Sequence, residues 1–433
     1  MIILSLSLAA ILLSIILGNR LKVNTGVLAG VFAVFIGILG LQMKAKDFFD
    51  LLPDKIIFTV TVITIFYGYL SENGTLSAFI SHMIYAMKEK CALIPMAIFL
   101  FSIAISSIGI GAPTATAILA PIVMSIAPRI RQKSTLLGVS VSYGVCIGGN
   151  FILSQGGIIS AAIIDGSTEY AGMGRQIMMK AFLISLLFYL AIYLVIYITG
   201  RSRDAQPFYD TVQPPPYTKQ QKQSLLVLAV TLVTTLVFSL LAHFLPAGGL
   251  RTFFKEFDLS FIILLGILAQ SLLHLAEFPK VVQKHVPVQM LVFFTGMTLL
   301  MGVAQRAGIV EWLSALVRGS VPVPLVAGIM ACIAGVMSCF SSTLSVVIPV
   351  LFPLVPAIAG EMGLSATLLY SAIFVGSTSA GISPFSTGGF LLVSNCQVRE
   401  EYHSMWNQLL WLCITNIALA TVLFAVLGVI SCI

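Results

Sequence analysis

The chain has 433 residues, of which 58% are hydrophobic and 9% charged, against about 45–50% and about 25% in an average soluble protein. With 23 Lys and Arg and 16 Asp and Glu, a globule of this size would lack a charged skin. Soluble enzymes and nucleic-acid-binding proteins are therefore excluded, and the chain reads as an all-α integral membrane protein. The net charge of +7 is assigned to loop Lys and Arg that orient the chain in a bilayer.

In chain order, apolar runs near the ~20 residues of a spanning helix fall at 2–18, 25–41, 55–71, 135–165, 180–199, 224–245, 258–275, 286–305, 365–394 and 406–431. The first lacks a positive n-region and a small-x-small cleavage site, so it reads as a retained span. Residues 75–90 place Phe79, Met83, Ile84 and Met87 on one side and Ser81, His82, Lys88, Glu89 and Lys90 near the other, the pattern of a helix lying in the interface. Two stretches, 91–128 and 322–360, are too long for one span and are broken by small residues. Each reads as a re-entrant helical hairpin, since irregular backbone at membrane depth survives only inside protein or against a water-filled cavity. Residues 200–223, polar and Pro-rich, form a linker between halves. Placing the first hairpin on the cytoplasmic side puts 14 of the 23 Lys and Arg inside and 9 outside. The linker is then cytoplasmic and both termini face out.

The halves repeat. At an offset of 232, Gly144, Gly149, Ser154, Gly156 and Gly157 meet Gly376, Gly381, Ser386, Gly388 and Gly389, and Ser106 and Pro121 meet Ser338 and Pro353. Five spans and a hairpin per half is an odd number of crossings, so the second copy is expected to be inverted, the plan of secondary transporters with broken helices.

Four breaks carry the candidate site. The first hairpin offers Ser106, Ser107, Gly111, Pro113 and Thr114, and the first broken span Gly149, Asn150, Ser154, Gln155, Gly156 and Gly157. The second hairpin offers Ser341, Ser342 and Thr343. The second broken span offers Ser377, Thr378, Ser383, Pro384, Ser386, Thr387, Gly388 and Gly389. Gly and Pro unwind a helix and leave N–H groups at half-helix N-termini, which suit an anion, while freed carbonyls and hydroxyls suit Na⁺. The plainer alternative is that small residues only let helices pack closely.

No Asp, Glu, Lys or Arg lies deep in a span, which disfavours a cation/proton antiporter with a buried carboxylate relay. The absence of a nucleophile with its base, or of a metal dyad, argues against an intramembrane enzyme. The seven Cys and five His make no metal-site spacing, and no nucleotide-binding loop is present. No cofactor is expected beyond Na⁺ as the candidate coupling ion.

At these residues the chain resembles the ion transporter superfamily, which includes the divalent anion:sodium symporters. Ser341-Ser342-Thr343 stands where the second Ser-Asn-Thr hairpin motif of those symporters would be. Ala112-Pro113-Thr114, running into Ala115-Thr116-Ala117 and Pro121, stands for the first. Ser154-Gln155-Gly156-Gly157 and Ser386-Thr387-Gly388-Gly389 stand for the two Thr-Pro-Pro segments, with Gly pairs in place of Pro pairs. Residues 24–125, with Phe66-Tyr67-Gly68 and Glu72-Asn73-Gly74-Thr75-Leu76, look closer to MatC-type malonate/dicarboxylate carriers. The resemblance implies a homodimer in the cytoplasmic membrane and an elevator-type slide of a transport domain against a scaffold. The scaffold would be 1–90 and 224–321, the transport domain 91–200 and 322–433, with 201–223 the linker. It implies a secondary active transporter of a small organic anion, a C3–C4 dicarboxylate first. The alternative is a transporter or exporter of an inorganic oxyanion or neutral metabolite on the same fold.

Overall fold

The computed structural model describes residues 2–52, 54–86, 90–109, 111–200, 213–244, 248–257, 259–308, 322–340 and 342–431, and among them every regular element is helical. The first part holds α1 (Ile2–Leu21), α2 (Thr25–Leu41), a short α3 (Ala45–Phe49), α4 (Asp54–Glu72) and α5 (Thr75–Ala86). Then come α6 (Ile94–Ser107), α7 (Ala112–Ile126), α8 (Ser134–Gly148), α9 (Gln155–Asp165) and α10 (Gly174–Gly200). After the linker follow α11 (Lys219–Phe244), α12 (Gly249–Glu256), α13 (Leu259–Leu272), α14 (Phe278–His285) and α15 (Val288–Arg306). The last part holds α16 (Val326–Phe340), α17 (Ile348–Leu351), α18 (Val355–Met362), α19 (Ala366–Ser379), α20 (Thr387–Ser394) and α21 (Arg399–Ser431).

The expected spans and breaks fall close to these helices. The runs 135–165 and 365–394 divide as α8 with α9 and α19 with α20, and the two long stretches divide as α6 with α7 and α16 with α17 and α18. Among the described residues, Gly174–Gly200, Ala366–Ser394 taken across its break, and Arg399–Ser431 are long and apolar enough to cross a bilayer singly. The helix expected to lie in the interface ends at Ala86, and Met87, Lys88 and Glu89 lie outside the described residues. Three short helices, α3, α12 and α14, stand where the sequence reading had only connections. In the second hairpin the arm after the break is segmented into a π turn (Thr343–Val347), α17, a 3₁₀ turn (Phe352–Leu354) and α18. Pro349, Pro353 and Pro356 each remove an N–H donor there, so no continuous i→i−4 ladder can form.

Succession and spacing recur. The 3₁₀ turns Cys91–Leu93 and Val323–Leu325 open the two hairpins, and the starts of α6, α8 and α9 at Ile94, Ser134 and Gln155 return at Val326, Ala366 and Thr387, each 232 residues on. Packing recurs too. A Cβ on Gly144 would strike the Phe99 carbonyl of α6, and one on Gly376 would strike the Ala331 carbonyl of α16, the same contact at the same offset.

Outside these elements, α2 lies backbone to backbone on α15. A Cβ at Gly296 would collide with the Gly26 carbonyl, and one at Gly26 with Phe293 Cα. The Asn24 side chain caps α2 by accepting from Gly26 N–H at 2.8 Å and donates to the Gln289 carbonyl at 2.7 Å, so one residue both starts the helix and fixes its neighbour. Helix α14 packs against α4 at Gly68, where a Cβ would come within 2.8 Å of Val281, and Lys284 Nζ holds Glu72 at 2.8 Å. Tyr217 at the end of the linker stacks on His82 of α5 with centroids 4.4 Å apart.

Between membrane helices close backbone approach supplies the packing energy that water supplies elsewhere. Gly296→Leu is therefore expected to destabilise the protein by about 1–3 kcal/mol through overpacking. Gly30→Ala, whose Cβ would sit at 3.6 Å from Gly296 Cα, should be neutral. Thermal melts of the two purified variants in one detergent check this.

Candidate functional site

The site is built from four helix interruptions. In the first hairpin α6 ends at Ser107, Gly109 takes φ +107°, and Gly111 caps α7 ahead of Pro113. Only glycine adopts that φ cheaply, and a Cβ on Gly109 would also strike the ring of Tyr67 on α4. Position 109 therefore sets both the turn and the contact of the hairpin with α4.

The two broken helices are closed in the same way. Ser154 Oγ donates to the carbonyls of Gly149 (2.5 Å) and Phe151 (2.6 Å) and accepts from Gly157 N–H at 3.0 Å. Ser386 Oγ donates to Gly381 (2.7 Å) and Ser383 (2.8 Å) and accepts from Gly389 N–H at 3.1 Å. Each hydroxyl thus satisfies carbonyls freed by the break and an orphan N–H of the next helix. The second glycine of each pair has no room. A Cβ on Gly157 would strike the Phe151 carbonyl and one on Gly389 the Ser383 carbonyl. The first glycines differ: Gly156 faces the Gly149 carbonyl too closely for a Cβ, whereas Gly388 leaves 3.2 Å to the Gly381 carbonyl.

The four interruptions meet. A Cβ on Gly111 would strike Gln155 Oε1, which puts the first hairpin tip on the start of α9. Thr116 of α7 lies beside Gly388 of the second break, and Leu344 of the second hairpin lies beside Gly156 of the first. Thr343 Oγ1 bonds Ser338 Oγ at 2.7 Å and donates to the Ser377 carbonyl at 3.3 Å, tying the second tip to α19. The breaks touch each other where the Cys146 thiol approaches the Thr378 carbonyl at 3.7 Å.

The structure sorts the expected residues. Pro113, Thr114, Ser342 and Thr387 are exposed, so the first turns of α7 and α20 are open to their surroundings. Ser106, Asn150, Ser154, Gln155, Ser377, Ser383 and Pro384 are buried, and Ser107, Thr343, Thr378 and Ser386 half-buried. Ser106 donates to the Val145 carbonyl at 3.1 Å, and Asn150 donates to Ser185 Oγ at 2.5 Å. Ser341 lies outside the described residues. Among the described residues the buried polar groups are Ser, Thr, Asn and Gln, and none is Asp, Glu, Lys or Arg.

Sequence reasoning passed over the long helices that brace the breaks. On α10, Ser185, Tyr189, Tyr193 and Tyr197 form a buried stripe at i, i+4 spacing. Tyr189 OH donates to Thr378 Oγ1 at 2.9 Å, and Tyr143 OH donates to Asn416 Oδ1 of α21 at 2.9 Å. The stripe was present in the sequence as one Ser and three Tyr at i, i+4 spacing on one face of an otherwise apolar span.

A profile described as a Na⁺/H⁺ antiporter family matches residues 144–429, about two thirds of the chain. The chain belongs to this family. A second profile, described as the dicarboxylate carrier protein MatC N-terminus, matches residues 1–149 and agrees with the resemblance read in the first third. No curated protein matches the chain. Among solved structures, the chain is similar to the YdaH transporter of Alcanivorax borkumensis, with 14% identity, 92% of this chain and 88% of that one covered, and a TM-score of 0.57. It is also similar to MtrF of Neisseria gonorrhoeae, described among a class of antimetabolite efflux pumps, with 16% identity, 91% and 83% covered, and a TM-score of 0.54. At those identities the likeness is one of fold. The family and its neighbours are transporters, not enzymes, and this chain is a membrane transporter.

Gly389→Ala is expected to lose transport or folded yield, because its Cβ has nowhere to go, while Gly388→Ala should keep both within about twofold. Overpacking of this kind costs about 1–3 kcal/mol. Expression, monodispersity and uptake of the pair check the distinction, which adjacent helix-packing glycines would not show.

Proposed function

We propose that the protein is a secondary active transporter of a small organic anion, with C3–C4 dicarboxylates as its first substrate class and Na⁺ as the candidate coupling ion. The observation that carries this reading is the meeting of four helix interruptions around open first turns, among buried polar groups without a formal charge. Three regular helices begin at this junction, at Ala112, Gln155 and Thr387. Each N-terminus is equivalent to about half an elementary charge, so together they supply roughly 1.5. That compensates a monoanion or a small dianion. A trianion would remain under-compensated in a low-dielectric site and would pay a large desolvation cost. The second hairpin adds less, because its arm restarts on a π turn.

The recurrence of elements and contacts at one offset supports an inverted repeat, with both hairpins re-entrant. The interruptions would then move together, elevator-like, past a scaffold of α1–α5 and α11–α15, in a homodimer in the cytoplasmic membrane. The MatC profile supports the dicarboxylate class. The family description raises a second reading, exchange of Na⁺ for H⁺. A proton carried through the membrane needs a titratable group at the site, and no buried carboxylate is found among the described residues. The likeness to MtrF keeps export of another small solute as the alternative.

In proteoliposomes, labelled malonate uptake should be inhibited by unlabelled malonate or malate at least 10 times more strongly than by citrate above its last pKa. An imposed Na⁺ gradient should accelerate it. Equal inhibition by citrate would contradict a site built on dipoles alone. Absence of malonate uptake with pH-gradient dissipation by Na⁺ would favour the exchanger.

A further inference from the structure

The second hairpin carries a feature that substrate binding does not use. Cys339 lies one residue before the end of the first arm, α16, at Phe340, and Cys413 lies in the middle of α21. Their sulfurs are 3.7 Å apart. Cys339 is half-buried and Cys413 is buried. The pair is flanked by groups that shape the site. Ser338 bonds Thr343 across the tip at 2.7 Å, and Thr343 reaches the Ser377 carbonyl. The tip is thus held to its surroundings by hydroxyl hydrogen bonds, with two thiols already in contact beside them.

A disulfide needs its sulfurs at about 2.05 Å. Thiols at 3.7 Å are within reach of that distance by side-chain rotation. We propose that Cys339 and Cys413 form a thiol-disulfide site that, when oxidised, fastens the tip of the second hairpin to α21. The reactant is a low-molecular-weight disulfide. The more exposed sulfur, Cys339, attacks it as the thiolate, forming a mixed disulfide and releasing one small thiol. Cys413 then attacks the Cys339 sulfur, forming the protein disulfide and releasing the second small thiol. Two S–H bonds and the small disulfide's S–S bond are consumed. One protein S–S bond and two small thiols form, and the two protein electrons and two protons leave with those thiols. Reduction by a dithiol reverses the exchange.

The consequence is specific to one tip. The oxidised link joins residues 74 positions apart (413 − 339) and replaces a thiol–thiol contact by a covalent bond at the base of the tip. The first hairpin has no equivalent: the residue 232 positions before Cys339 is Ser107. Oxidation should therefore rigidify the second tip and leave the first unchanged.

The test uses the full-length protein in lipid nanodiscs, treated with glutathione disulfide or with dithiothreitol. Peptide mapping without reduction reads the link, and amide hydrogen exchange reads the tips. The expected result is a Cys339–Cys413 peptide in most molecules. Exchange over residues 338–347 should be at least 10-fold slower in the oxidised form, and exchange over 106–114 unchanged. Cys339→Ser and Cys413→Ser should each abolish both the link and the slowing; the half-buried Cys339 site alone suffices if the other variant fails to fold. No 339–413 link, even with copper-phenanthroline, would overturn the pairing. A link that leaves exchange over 338–347 unchanged would overturn the fastening. Neither readout depends on which solute is carried.

Discussion

An interrupted helix inside a bilayer exposes backbone donors and acceptors where no water is available to satisfy them. Everything distinctive in this protein follows from how that cost is met. Ser154 and Ser386 meet it locally, each with one hydroxyl that serves two carbonyls and one N–H. The neighbouring glycines meet it by letting the chain fold back onto its own carbonyls. Because both breaks are closed by the same small polar device, the helix starts can stay open without a charged partner. In the proposed site, a neutral lining with oriented dipoles is what remains for a solute.

The braces around the breaks are as important as the breaks. Tyr189 reaches Thr378 from α10, Tyr143 reaches Asn416 between α8 and α21, and Asn150 is held by Ser185. These bonds cross from one half of the chain to the other or from a broken helix to a continuous one. A buried amide or hydroxyl left unpaired would cost about 1–3 kcal/mol, so each brace also fixes the position of the segment it holds. Between α2 and α15 the constraint is steric instead: glycine backbones in contact, beside the bond from the Asn24 side chain to the Gln289 carbonyl.

The spans and the breaks were legible because their signals are long or repeated. About twenty apolar residues announce a helix, and Ser-x-Gly-Gly at two places 232 residues apart announces a shared turn. The short helices α3, α12 and α14 were not legible, since five to eight amphipathic residues between spans look like a connection. The segmented arm after the second tip was foreseeable from Pro349, Pro353 and Pro356 but not its π turn, which depends on packing. At the site, residue identity could not separate hydroxyls turned to the backbone from those turned outward. Ser154 and Thr387 read alike in sequence, yet one closes the chain and the other stands open. The tyrosine stripe of α10 was visible and was absorbed into a span, because aromatic residues at helical spacing usually mean core.

The central claim is that the open first turns of α7 and α20 face one solute. Its most direct test is paired accessibility in a cysteine-free background. Thr114→Cys and Thr387→Cys should both react with a small water-soluble thiol reagent, and malonate should slow both reactions to the same degree and over the same concentration range. Protection of one position only, or of neither by any dicarboxylate that is transported, would contradict the account.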